Sequence, residues 1–279
     1  MAFSPGTWPV ITTTILLAWA AAASGRSIDV GDMLMMDRFL RWQATHNRSY
    51  PSAGERLRRF QVYRDNVEYV DATNRRGNLT YQLGENQFAD LPREEFLARF
   101  MSYDGDDRTE GDNTVITTAE GADANMWSSG GVDVSLDPAS VDWRAKGAVV
   151  PPKAQTSSCF SSWAFAAGAT IESLHSIKTG KLVAPSGQQL PVAAAIELGS
   201  DIQFYKSGVY SGPCGTRLQH AVTVVGYDAD ESTGEKFWIV KNSWGQTWGE
   251  HGYIRMQRKI LGPGLCGIML DVAYPTMSM

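Results

Sequence analysis

The feature that most limits the fold is a change of apolar period along the chain. From Glu55 to Asn74, Leu57, Phe60, Tyr63, Val67 and Val70 recur at three- and four-residue steps, the spacing of one face of an α-helix. Charged residues fill the intervening positions, so this stretch reads as an amphipathic helix within a helical, strongly charged segment from Met33 to Phe100. Beyond Pro191 the period becomes two, in β-rich runs at Val192 to Leu198, Ala221 to Tyr227, Lys236 to Lys241, Gly252 to Met256 and Ile268 to Ala273. This half reads as a small antiparallel sheet or barrel. Between them, Ser162 to Lys178 places Trp163, Ala166, Ala167, Thr170, Leu174 and Ile177 on one helical face, with Gly180 as a stop. The chain is therefore expected to be α+β.

The net charge of −5 is unevenly spread. Residues 101 to 140 hold one Arg against nine Asp and Glu, with Gly, Ser and Thr and no apolar period, which predicts an exposed linker open to proteolysis. No basic block occurs, so nucleic acid is not an expected partner. Near the start, an apolar run from about Val10 to Ala23 ends in small residues before Arg26, as a cleaved signal peptide does. It is shorter than the roughly 20 apolar residues that a membrane-spanning helix wants. Export permits disulfides, and of Cys159, Cys214 and Cys266 at most two can pair with each other. The sequons at Asn47 and Asn78 fit a glycosylated surface. The four histidines and three cysteines show no metal-ligand spacing, and no cofactor is implied.

Three stretches carry a resemblance. Glu55, Arg59, Tyr63, Asn66, Val70 and Asn74, followed by Gly84, Asn86, Phe88 and Asp90, resemble the two spaced motifs of papain-type inhibitory propeptides. Ser140 to Arg144 resembles the start of a mature papain-like cysteine protease, and Gln155 to Phe165 resembles its nucleophile segment, Gln-Gly-x-x-Cys-Gly-Ser-Cys-Trp-Ala-Phe. Leu218 to Val222 resembles the catalytic histidine segment, and Phe237 to Gly245 the asparagine segment. The resemblance implies a papain-like two-lobe fold behind a helical propeptide. It divides the chain into a signal peptide (1–24), a propeptide domain (25–100), an acidic processing region (101–138) and a peptidase domain (139–279). Site roles follow position by position: Ser162 at the nucleophile, His220 and Asn242 as its partners, Gln155 in the oxyanion hole, and Trp244 shielding the His and Asn contact. Cys214 and Cys266 resemble the β-lobe disulfide, which leaves Cys159 as the unpaired thiol.

The hairpin pattern independently relates two of these residues. His220 and Asn242 lie equally far from Glu231, so a hairpin centred there would set them opposite each other, with Cβ atoms about 5 Å apart. A one-residue slip would break the pairing.

Two departures bear on function. In a papain-type enzyme the nucleophile is a thiolate, ionised in advance by a helix N-terminus and an imidazolium. Here the family's cysteine is Ser162, whose hydroxyl would need His220 as a general base. Serine hydrolases support such a base with a buried carboxylate, which Asn242 cannot supply, so the expected loss is about 10⁴ or more in rate. The second departure is length. In the family the His and Asn follow the nucleophile by roughly 130 to 150 residues. Here the intervals are 58 (220 − 162) and 80 (242 − 162), so about 70 residues are missing.

The break falls between Gln188-Gln189-Leu190 and Pro191-Val192-Ala193, removing most of the rest of the helical lobe and with it one wall of the substrate cleft. It also exposes the Ser162 to Ile177 helix to loss of its cover. Phe160 takes a glycine slot beside the cleft, and Ala154 and Thr156 also depart from the family string. The leading expectation is a degenerate papain-family endopeptidase homologue of the secretory pathway, extracellular or vacuolar or lysosomal. Its expected partners are its own propeptide and, if active, peptide or protein substrates, with no membrane after signal cleavage. The alternatives are an inhibitor or interaction protein acting through its propeptide domain on active papain-like proteases, and a weak serine-type hydrolase.

Overall fold

A computed structural model of the chain describes residues 30–101, 138–155, 161–177, 179, 191–258 and 262–275. The signal segment, most of the acidic linker, Thr156, Cys159, Phe160 and Gln188 to Leu190 lie outside these residues. No helix among the described residues is long and apolar enough to cross a membrane.

The chain forms two compact units, 1–65 and 66–279, which divide inside the stretch read as one propeptide domain. In the first unit, α1 (Val30–Thr45) meets the start of α2 (Ala53–Asn74) through a cluster of rings. Phe39 lies 5.1 Å from Tyr63 and 5.4 Å from Phe60 between centroids. Glu55 binds Arg58 and Arg59, which together pull its carboxyl down to about 2. Phe60, Tyr63, Val67 and Val70 are buried as the period predicts, whereas Leu57 is exposed on the first turns of the helix.

The second unit is α+β. A sheet runs in the order β1 (Tyr81–Leu83), β4 (Tyr205–Tyr210), β7 (Tyr253–Gln257), β6 (Lys236–Lys241), β5 (His220–Ala229), β3 (Val192–Ile196), β8 (Val272–Ala273), with β2 (Val141–Asp142) also on β5. Helix α4 (Ser162–Ser176) lies against β5 and β3, and α3 (Arg93–Phe100) contributes Phe96 and Phe100 to the core. The sheet is mixed where an antiparallel one is expected, because β4 pairs parallel with β7. Strand β4 escapes a period-two reading because Lys206, Ser207 and Gly208 interrupt its apolar residues. Gly208 sits at φ +92°, and a Cβ there would lie 2.5 Å from the Thr80 carbonyl, so only glycine lets β1 close onto β4. The run expected from Ile268 is a turn, and only Val272–Ala273 is strand. Gly264, Cys266 and Gly267 all have positive φ, so the chain folds back there before it can extend.

The later part of the propeptide stretch is built into this unit. Asn86 donates to the Gln203 carbonyl at 2.7 Å and accepts from Phe88 N–H, while Gln203 donates to the carbonyls of Phe88 and Leu91. Asn74 holds Leu83 by both its N–H and its carbonyl. The hydroxyls of Tyr69 and Tyr81 both donate to buried Asp201.

Candidate active site

Each site residue is placed by a backbone ladder. His220 opens β5, opposite Ile196 of β3, and Asn242 follows the last residue of β6. The connecting turn is closed by Asp230 N–H donating to the Glu235 carbonyl and is braced by Asp230 accepting from Ser232 and Thr233. Its centre therefore lies beyond Glu231, and the ladder pairs Thr223 with Lys241, with a bulge between Val224 and Gly226. His220 and Asn242 are diagonal rather than directly opposite. A two-residue offset keeps both on one face of the sheet, so the side chains still meet.

His220 Nε2 lies 2.8 Å from Asn242 Oδ1. That oxygen is fixed as an oxygen because it also accepts the Ser243 N–H at 2.7 Å. The other ring nitrogen, Nδ1, lies 3.1 Å from the carbonyl oxygen of Phe100. The ring thus faces two acceptors. A neutral imidazole carries one N–H and satisfies one of them, whereas an imidazolium would satisfy both. Complete burial outweighs both bonds and lowers the His220 pKa to about 4, so at neutral pH the ring is uncharged.

Trp244 covers this pair. Its ring centroid lies 4.9 Å from that of His220 and 5.7 Å from that of Phe100, and Phe88, Phe96 and Trp248 surround it. The segment before α4 runs along the asparagine segment: Gln155 N–H donates to the Ser243 carbonyl, and Gly245 N–H to that of Lys153. Ser243 Oγ donates to Gln155 Oε1 at 2.6 Å, while Gln155 Nε2 is buried with no hydrogen-bond partner among the described residues.

Ser162 is the first residue of α4 and is fully buried. Its Oγ accepts the N–H of Ala221, next to His220, at 3.0 Å. Thus Ser162, His220, Asn242, Gln155 and Trp244 lie close together in one region. Cys214 and Cys266 are disulfide-bonded, and Cys159 lies outside the described residues. The residue that sequence reasoning missed is Phe100, whose backbone occupies the histidine; a backbone carbonyl leaves no mark in a side-chain pattern.

The family model for papain family cysteine proteases matches the chain in two pieces, residues 137–191 and 187–276, and that for the cathepsin propeptide inhibitor domain matches residues 39–96. The chain belongs to the papain family. Among its relatives, ananain of Ananas comosus is 33% identical over 338 aligned positions, spanning 94% of each chain, and chymopapain of Carica papaya is 31% identical, spanning 95% of this chain and 96% of its own. An alignment of 338 positions is longer than the 279 residues here, so ananain carries residues that face a gap. The recombinant stem bromelain precursor has a similar structure, at 32% identity and a TM-score of 0.74, over 88% of this chain and 99% of its own. The proform of Amb a 11, a ragweed pollen cysteine protease, follows at 29% and 0.71, over 88% and 95%. Within the family, the two pieces of the match meet at 187–191, beside the junction at Pro191 where the helical part gives way to β3.

Proposed function

We propose that this chain is a papain-family endopeptidase homologue made as a secreted proenzyme, with little or no peptidase activity of its own. The observation that carries the reading is that both groups that would have to react are already engaged. Ser162 Oγ is buried and accepts a backbone N–H, and His220 Nδ1 faces the Phe100 carbonyl. A hydroxyl at the family's nucleophile position needs a base whose developing charge is stabilised, and the neutral amide of Asn242 offers only a dipole. The short interval from Ser162 to His220 adds to this, since part of the cleft wall is absent.

The decisive assay uses the full chain, intact and cut within residues 101–138, on casein and on a dipeptide reporter. No turnover above a His220→Ala control is expected. Turnover that vanishes in that control would overturn the reading.

Export, cleavage of residues 1–24 and an extracellular, vacuolar or lysosomal destination are part of the same proposal. The Cys214 to Cys266 disulfide and the exposure of both sequon asparagines, Asn47 and Asn78, support it. Amino-terminal sequencing and a glycosidase mobility shift test it.

The match over residues 39–96 also favours a second role, inhibition of other papain-like proteases through the propeptide. Against it stands the pairing of Tyr81–Leu83 with β4 of the same chain, which occupies that strand. The full chain at micromolar concentration should slow an active family member if the role is real. Weak serine-type hydrolysis has less support, because the His220 ring nitrogens face the Asn242 amide and the Phe100 carbonyl and neither faces a carboxylate; labelling of Ser162 by a fluorophosphonate would revive it.

A further inference from the structure

Between α4 and strands β5 and β6 lies a cavity of about 260 Å³. Ala166, Ala169, Ala221 and Val222 form apolar parts of its lining, and small residues on α4 leave the space open: a Cβ built on Gly168 would meet nothing within 4 Å. Among the described residues three charged side chains line it. Lys153 and Glu172 form an ion pair of 3.2 Å at the exposed rim. The third, Lys241, is only 7% exposed, and its ammonium has neither an ion pair nor a hydrogen bond among the described residues.

A lysine side chain that is only 7% exposed keeps little water around its ammonium, and none of the described residues forms an ion pair or hydrogen bond with it to offset that loss. Among the described residues Glu172 is the one acidic group facing the cavity, and it is already committed to Lys153. The lining therefore holds an excess positive charge beside small apolar walls, with the amide of Asn242 and the hydroxyls of Thr223 and Ser243 as further polar groups. Desolvation lowers the Lys241 pKa, with the attraction of Glu172 opposing it; an added anion would reverse that shift. A pocket of this size accepts a body of about ten heavy atoms.

We propose that this cavity binds a small carboxylic acid with an apolar body, its carboxylate paired with Lys241 Nζ and its body against Ala166, Ala169 and Val222. The proposal does not depend on the absence of peptidase activity, since it is read by binding alone. The probe is phenylacetate, titrated into the full chain by calorimetry beside its neutral amide, phenylacetamide. Saturable binding of phenylacetate is expected, with the amide at least ~10-fold weaker and Lys241→Met reducing phenylacetate affinity by ~10-fold or more. Equal binding of acid and amide, unchanged affinity in a folded Lys241→Met variant, or no saturable binding to the parent chain would each overturn it. Should Lys241→Met fail to fold, Glu172→Gln decides: loss of the competing carboxylate should tighten phenylacetate binding several-fold, and unchanged or weaker binding sinks the proposal.

Discussion

On the side of α4 that meets β3 and β5, Ala166, Ala169, Thr170, Ser173 and Leu174 are buried; on another side Trp163 and Ile171 stand 65% and 59% exposed. Both sides carry apolar residues, and Trp163 was expected on the covered one. The difference teaches that a helix's apolar periodicity records the neighbours it is suited to, whereas burial records those present. The β side retains its sheet, its disulfide and its aromatic core. Nothing among the described residues covers Trp163 and Ile171, on the side where the missing segment of the helical lobe is expected.

Stability should therefore reside on the β side, and perturbing that side should cost most. Trp248 is fully buried, packs on Trp244 at 4.8 Å and donates from its indole N–H to the Ile202 carbonyl. Trp248→Ala should cost about 3–5 kcal/mol in chemical denaturation. A cost under about 1 kcal/mol would mean that this core is not the stabilising region. Next, Cys214→Ala with Cys266→Ala removes a link across 52 residues and should cost about 2–4 kcal/mol.

A third effect depends on pH. The folded pKa of His220, about 4, lies below its ordinary 6.5, so the unfolded chain binds the extra proton in that window. The contribution of neutral, buried His220 is complete above about pH 6.5 and is lost as pH falls towards 4, by no more than about 3 kcal/mol. Denaturation midpoints of the parent and His220→Gln across pH 4 to 7 should converge on acidification; parallel curves would place the acid sensitivity elsewhere. The smallest effect belongs to the open side of α4. Trp163→Ala should change stability by no more than about 0.5 kcal/mol, and acrylamide should quench the Trp163 component of the fluorescence freely. A large loss of stability there would show that this side has a cover after all.

Much of this was legible in the sequence because it lies in short-range pattern. Helix α2, strand β6 and the face shared by His220 and Asn242 follow from residue period, and period is local chemistry. The hairpin register was misplaced by two because Asp230, through its bonds to Ser232 and Thr233, closes the turn later than symmetry about Glu231 suggests. What the sequence by itself determined is the helices of strong period, the strands β3, β5, β6 and β7, the family and the identity of the groups at the site. Only the tertiary structure decided that Ser162 Oγ accepts the Ala221 N–H, that Phe100 presents its carbonyl to His220, and that Lys241 is buried without an ion pair among the described residues. The physical reason is that backbone hydrogen bonds and desolvation depend on which distant segments meet, and no spacing along the chain encodes them.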